Sequence, residues 1–163
     1  MQHMATEPDL KGIAPDETLE TCARQIIVRY FQEMMSYKAG AKEGIDIAFV
    51  HDMRVTARRL RAVMDNFADC FPKQSFKRHY KQIKAITQTM GAVRDLDVLI
   101  ARFQNELANL TVVEQADIRG LIEHLQRKRK EAREPMLTLF EELEETGFET
   151  EFLKFFNYSQ GVR

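Results

Sequence analysis

Apolar residues recur along this chain at alternating steps of three and four, and almost nowhere at steps of two. That is the period of helices with one buried face, not of strands. The clearest series is Val50, Met53, Ala57, Leu60, Met64, Phe67 and Phe71. It predicts a helix over about 46–71, stopped at Pro72, whose seam suits packing at a shallow angle in a bundle.

The same period predicts the other helices. A first runs from about Asp16, a plausible N-cap, to Lys38, with Leu19, Cys22, Ala23, Ile26, Tyr30, Met34 and Tyr37 inward; the AGAKEG stretch from Ala39 ends it. A third runs from about Gln74 to Leu110, with Phe76, Tyr80, Ile83, Ile86 and Met90 inward, then Val93, Leu96, Ile100, Phe103, Leu107 and Leu110. Gly91 falls inside it, at a position where glycine costs about 1 kcal/mol against alanine, which leaves room for a bend, a break or a close contact. A fourth covers about Val113–Glu134, with Ile118, Leu121, Leu125 and Ala132 inward, and Pro135 kinks or restarts it. Met136, Phe140 and Leu143 carry the pattern to Gly147, and a short Phe-rich helix covers Phe148–Tyr158. Seven glycines and four prolines punctuate these segments. The fold class is all-α, an antiparallel bundle of four to five helices over 16–163 behind a flexible tail over 1–15.

Composition changes this picture little. The charged residues nearly cancel, 24 basic against 25 acidic, so total charge selects no partner. Cys22 and Cys70 lie in helical patterns beside apolar residues and read as small hydrophobes rather than as a disulfide or a metal site. Neither a signal peptide nor a run of about 18 apolar residues is present, and a cytoplasmic location is expected.

Distribution of charge changes it more. From His51 to Arg94 there are ten Lys/Arg and three Asp/Glu, whereas Glu134–Glu151 holds seven acids and no base. One residue after each core position of the second helix stand His51, Arg54, Arg58 and Arg61, a line rotated by about 100° from the seam. It therefore borders the buried face. Arg59 falls on a different side. The next helix repeats the device, with Lys77, Lys81 and Lys84 following Phe76, Tyr80 and Ile83. Lysine and arginine often snorkel at bundle edges, but ordinary faces mix signs to limit repulsion. Two adjacent helices bordered by one sign predict a groove for a polyanion, gripped bidentately by guanidinium forks. Arg129 and Arg133, in QRKRKEAR, could join it or merely face water.

His51 lacks the paired ligand spacing of a metal site, and as half of a phosphohydrolase His-Asp pair it would need an upstream histidine where only His3 exists. As a phospho-accepting residue it is crowded by Val55. A donor in the anion site is the favoured role. Asp95 and Asp97, at i, i+2, point to different helix faces and read as holding neighbouring arginines.

VHDMRVTARRLRA resembles the opening signature of the CHAD domain, the conserved-histidine α-helical domain, and IKAITQTMGAVRDLDVL over Ile83–Leu99 resembles its second signature. RKEAREPMLTLFEEL is similar to its later helices. The resemblance covers about Thr18–Phe156. It implies binding of inorganic polyphosphate, location at polyphosphate granules, frequent company with CYTH-type triphosphate enzymes, and no catalysis, cofactor or metal. The ligand residues it implies are His51, Arg54, Arg58, Arg61, Lys84 and Arg94, with Arg59 also matching. Lys77, Lys81 and Arg129 rest on spacing alone.

Members of that family usually carry a second helical half with its own His- and Arg-bearing helix, which does not follow here. A fragment or a homodimer would account for this, and a second copy would add the missing wall. The competing readings are a nucleic-acid-binding bundle, for which no stacking platform is evident, a phosphohydrolase or phosphotransfer protein using His51, and an interaction domain using the acidic half.

Overall fold

The computed structural model describes residues 17–157; the tail expected over 1–15 and the N-cap expected at Asp16 lie outside them. Six α-helices follow one another: α1 Leu19–Ser36, α2 Lys38–Glu43, α3 Ile47–Asn66, α4 Lys73–Glu106, α5 Val112–Glu145 and α6 Phe148–Asn157. Among the described residues there is no strand, and the all-α bundle expected from the period is the fold. No helix among the described residues is long and apolar enough to cross a membrane.

Local chemistry sets the boundaries. Thr18 caps α1, accepting from the Thr21 N–H at 3.2 Å, and Asp46 caps α3 through the Ala48 N–H at 2.9 Å. Thr111 and Glu114 form a reciprocal capping box at the start of α5. Gly44 ends α2 at φ 75°, the left-handed conformation glycine adopts without strain.

The core is the seam read from the sequence, filled from both ends. Val50, Met53, Ala57, Leu60 and Met64 of α3 are buried against α1 and α4. The α6 phenylalanines close one end: Phe152 stacks on Phe31 of α1 at 3.9 Å between ring centroids, and Phe148 meets the same ring edge-on at 5.5 Å.

Three expectations are corrected. In α1 the buried residues are Ala23, Ile27, Val28, Phe31 and Met34, not the face expected through Ile26 and Tyr30, and Leu19 is 64% exposed. The α6 rings turn the buried side toward Phe31. Pro135 does not restart α5, which runs through it with the proline on the exposed side; α4 runs unbroken through Gly91, as its series implied. In the first half of α5, Ile122 is buried while Leu121 is 37% exposed. α5 packs mainly on α4, and two helices alone bury a narrow stripe. From Ala101 to Leu121 no residue is buried: the end of α4 and the start of α5 form a two-helix arm outside the buried core.

Candidate anion-binding face

The helical period that seats Val50, Met53 and Ala57 in the core places His51, Arg54 and Arg61 half-buried at its margin and Arg58 exposed. Arg59 is on the other flank. Its charge is felt by Glu33 and Tyr37 of α1, lowering the pKa of each against the burial that raises both. The spacing argument that set Arg59 apart from the row agrees with this placement.

α4 runs antiparallel beside α3, and two contacts fix the register. Arg54 lies over Gly91, its Nε 3.9 Å from where a glycine-91 Cβ would stand. Arg61 lies over Tyr80, with Nη2 3.5 Å from the phenol oxygen and the guanidinium carbon 5.6 Å from the ring centroid. Tyr80 in turn donates to Asp65 at 3.2 Å. This register sets Arg94 opposite His51, and Lys84 falls between the two contacts, one turn beyond Tyr80. Lys77, Lys81 and Lys84 are all exposed. His51, Arg54, Arg58 and Arg61 on α3 and Lys84 and Arg94 on α4 thus border one helix–helix seam, with Lys77 and Lys81 continuing along α4.

Positive charge is dense on this face and is not matched by ion pairs. Several cations elsewhere are matched: Lys38 and Lys42 by Glu144, Arg24 by Glu20, Lys128 by Glu131. None of Arg54, Arg58, Arg61, Lys77, Lys81, Lys84 and Arg94 is ion-paired with a described residue. At its ends, His51 Nδ1 and Arg61 Nε are buried without a hydrogen-bond partner, which is costly for a polar atom. Burial pushes the His51 pKa below its ordinary value, Arg94 and Arg54 push it the same way, and Asp52 opposes them. Burial and the neighbouring cations favour the neutral imidazole.

Arg129 is employed differently. It is hydrogen-bonded and ion-paired to the buried Asp97, and its Nη2 donates to the Gly44 carbonyl at 3.3 Å. Arg133 donates to the carbonyls of Ala41 and Lys42 at 3.1 and 2.7 Å. Together they cap the C-terminal end of α2, where carbonyls lack helical partners. Asp97 holds an arginine, as its helix face suggested; Asp95 is exposed. The clamp was not foreseen, although Arg129 and Arg133 at i, i+4 carried the signal. Cys22 and Cys70 are free and half-buried, and no group of three His, Cys, Asp or Glu among the described residues could hold a metal ion.

The family model described as the CHAD domain matches residues 25–161. No curated protein and no solved structure matches the chain.

Proposed function

Since this chain belongs to the CHAD domain family, we propose that it is a non-catalytic module that binds inorganic polyphosphate along the α3–α4 seam. The observation that carries this reading is the row itself: seven cations bordering one helix–helix seam, none of them ion-paired with a described acid. A chain of phosphates relieves the repulsion and gives the buried His51 and Arg61 nitrogens acceptors. Arginine and lysine without aromatic platforms suit a repeating phosphate rather than stacked bases.

The exposed Arg58, Lys77, Lys81 and Lys84 leave the seam open to solvent, so one copy supplies one wall of the groove. A second copy facing it, related by a two-fold axis, is part of the proposal. Location at polyphosphate granules and company with a CYTH-type enzyme belong to it as well.

Titration with polyphosphate tests the reading, with single-stranded RNA at equal phosphate as competitor. Polyphosphate should win. Preference for RNA would replace the reading with a nucleic-acid one, and release of phosphate during the titration would make the protein an enzyme. Light scattering at tens of micromolar tests the pairing, and a monomer mass with and without polyphosphate counts against it.

A further inference from the structure

The arm carries apolar side chains that the described chain does not bury. Eight large apolar side chains are exposed among the described residues, and five of them, Val98, Leu99, Val112, Val113 and Leu121, stand on the arm or at its base. Single exposed apolar residues are ordinary, but five gathered on one helix pair mark a surface that meets another surface.

Helical spacing shows which side of the arm is left open. On α4, Ala85, Thr89, Ala92, Leu96, Leu99 and Phe103 follow one another by steps of three and four, so they form one line along the helix. On α5, Leu121, Leu125, Ala132, Pro135 and Leu139 form a second line in the same way. The two lines border one groove: at its bundle end, Ala85 and Thr89 face Pro135 and Leu139 across an open space of about 550 Å³. None of the residues on either line is buried. The α4 line is small where the groove is open, at Ala85, Thr89 and Ala92, and bulky on the arm side, at Leu96, Leu99 and Phe103.

We propose that a second copy of the chain covers this face, antiparallel, with α4 on α4 and α5 on α5 about a two-fold axis near Leu96. Such an axis sets the Phe103 of either copy over the Thr89 of the other, and Leu121 over Leu139. The bulky half of each face then fills the open half of its mate, and both contacts are the same, as an isologous pairing requires. Two helix pairs together make a four-helix bundle, which gives Leu99 and Leu121 the third helix that one chain lacks. The size fits. From Ala85 to Leu110 the face runs for about 38 Å, and two helices are about 20 Å across. That is about 760 Å² in projection, close to the ~800 Å² that each partner gives to a standard interface. The line from Ala85 to Phe103 is turned by about 100° from the contacts of α4 with α3 at Tyr80 and Gly91. The pairing therefore needs no polyphosphate and does not depend on the function proposed for the α3–α4 seam; a copy on that seam as well would make a tetramer.

Light scattering on the full chain at tens of micromolar, without polyphosphate, should give a dimer mass. Leu99→Glu with Leu121→Glu should return a monomer mass with the helical circular-dichroism signal retained, because both side chains are exposed. Arg54→Ala with Arg58→Ala should leave the dimer intact. In a background of Cys22→Ser and Cys70→Ser, Leu96→Cys should form a disulfide-linked dimer under mild oxidation, whereas Lys130→Cys, on the far side of α5, should not. The cross-link is a gain that misfolding does not mimic selectively. A monomer mass for the unaltered chain would overturn the pairing and leave the face to another protein. A dimer that survives Leu99→Glu with Leu121→Glu, or equal cross-linking at Leu96 and Lys130, would overturn it too. A dimer lost only with Arg54→Ala and Arg58→Ala would belong to the seam instead.

Discussion

Arg54 of α3 lies across Gly91 of α4, its Nε 3.9 Å from the position a Cβ there would take, the only described atom within 4 Å beyond the local α4 backbone and the adjoining residues. That is ordinary van der Waals contact, so Gly91 is not demanded by space. Gly91→Ala should therefore stabilise the protein by about 0.5–1 kcal/mol through helix propensity. Thermal or urea unfolding measures this. Loss of stability would mean that the Arg54 guanidinium needs the bare backbone beneath it.

Removing two cations from the middle of the row should weaken polyphosphate binding and flatten its salt dependence. For Arg54→Ala with Arg58→Ala, the slope of log affinity on log salt should fall by about 1.4, at about 0.7 per phosphate contact. Titrations across a salt series read both quantities. An unchanged slope places the ligand elsewhere.

The histidines make stability fall in acid. His51 and His79 both have pKa values lowered by burial, so the unfolded chain binds more protons than the native one as pH drops through the ordinary histidine value of about 6.5. Stability is full above that value and declines below it. Replacing either histidine by glutamine should reduce the decline between about pH 7 and 5, as followed by urea midpoints. Polyphosphate should act oppositely on His51: neutralising Arg94 and Arg54 raises its pKa, so binding takes up a proton and tightens as pH falls. Calorimetry in buffers of different ionisation enthalpy detects that proton.

Asp97→Ala removes the partner of Arg129 while leaving that guanidinium in place. Breaking a buried pair costs about 3–5 kcal/mol. Arg129 is 20% exposed at its side chain and retains the Gly44 carbonyl, so a loss near the lower end is expected in denaturant unfolding. Changing Arg129 together with Asp97 to apolar residues should recover much of it.

What the sequence made legible was the part governed by one helix at a time. The α3 seam and its basic margin follow from period alone, because α3 is covered on both sides by α1 and α4 and its whole apolar stripe is used. The α1 face was misread because its orientation is decided by Phe148 and Phe152, over a hundred residues away. Leu121 was misread because an apolar residue on a two-helix arm has no third helix to meet. Arg129 looked like part of the basic face because a run of charge does not reveal which member finds a buried carboxylate; that pairing with Asp97 spans 32 residues.

The two-helix arm has a consequence for how the molecule opens. With no buried residue from Ala101 to Leu121, little apolar area opposes local unfolding there, and the backbone hydrogen bonds are exposed to water. In hydrogen exchange read by mass spectrometry on the monomer, these amides should exchange through fraying well below the free energy of global unfolding. Those of α3, with Val50, Met53, Ala57, Leu60 and Met64 buried on one side, should wait for the whole domain to open. The unpaired row therefore rides on the last unit to yield, and the arm can melt and re-form without disturbing the spacing of its charges.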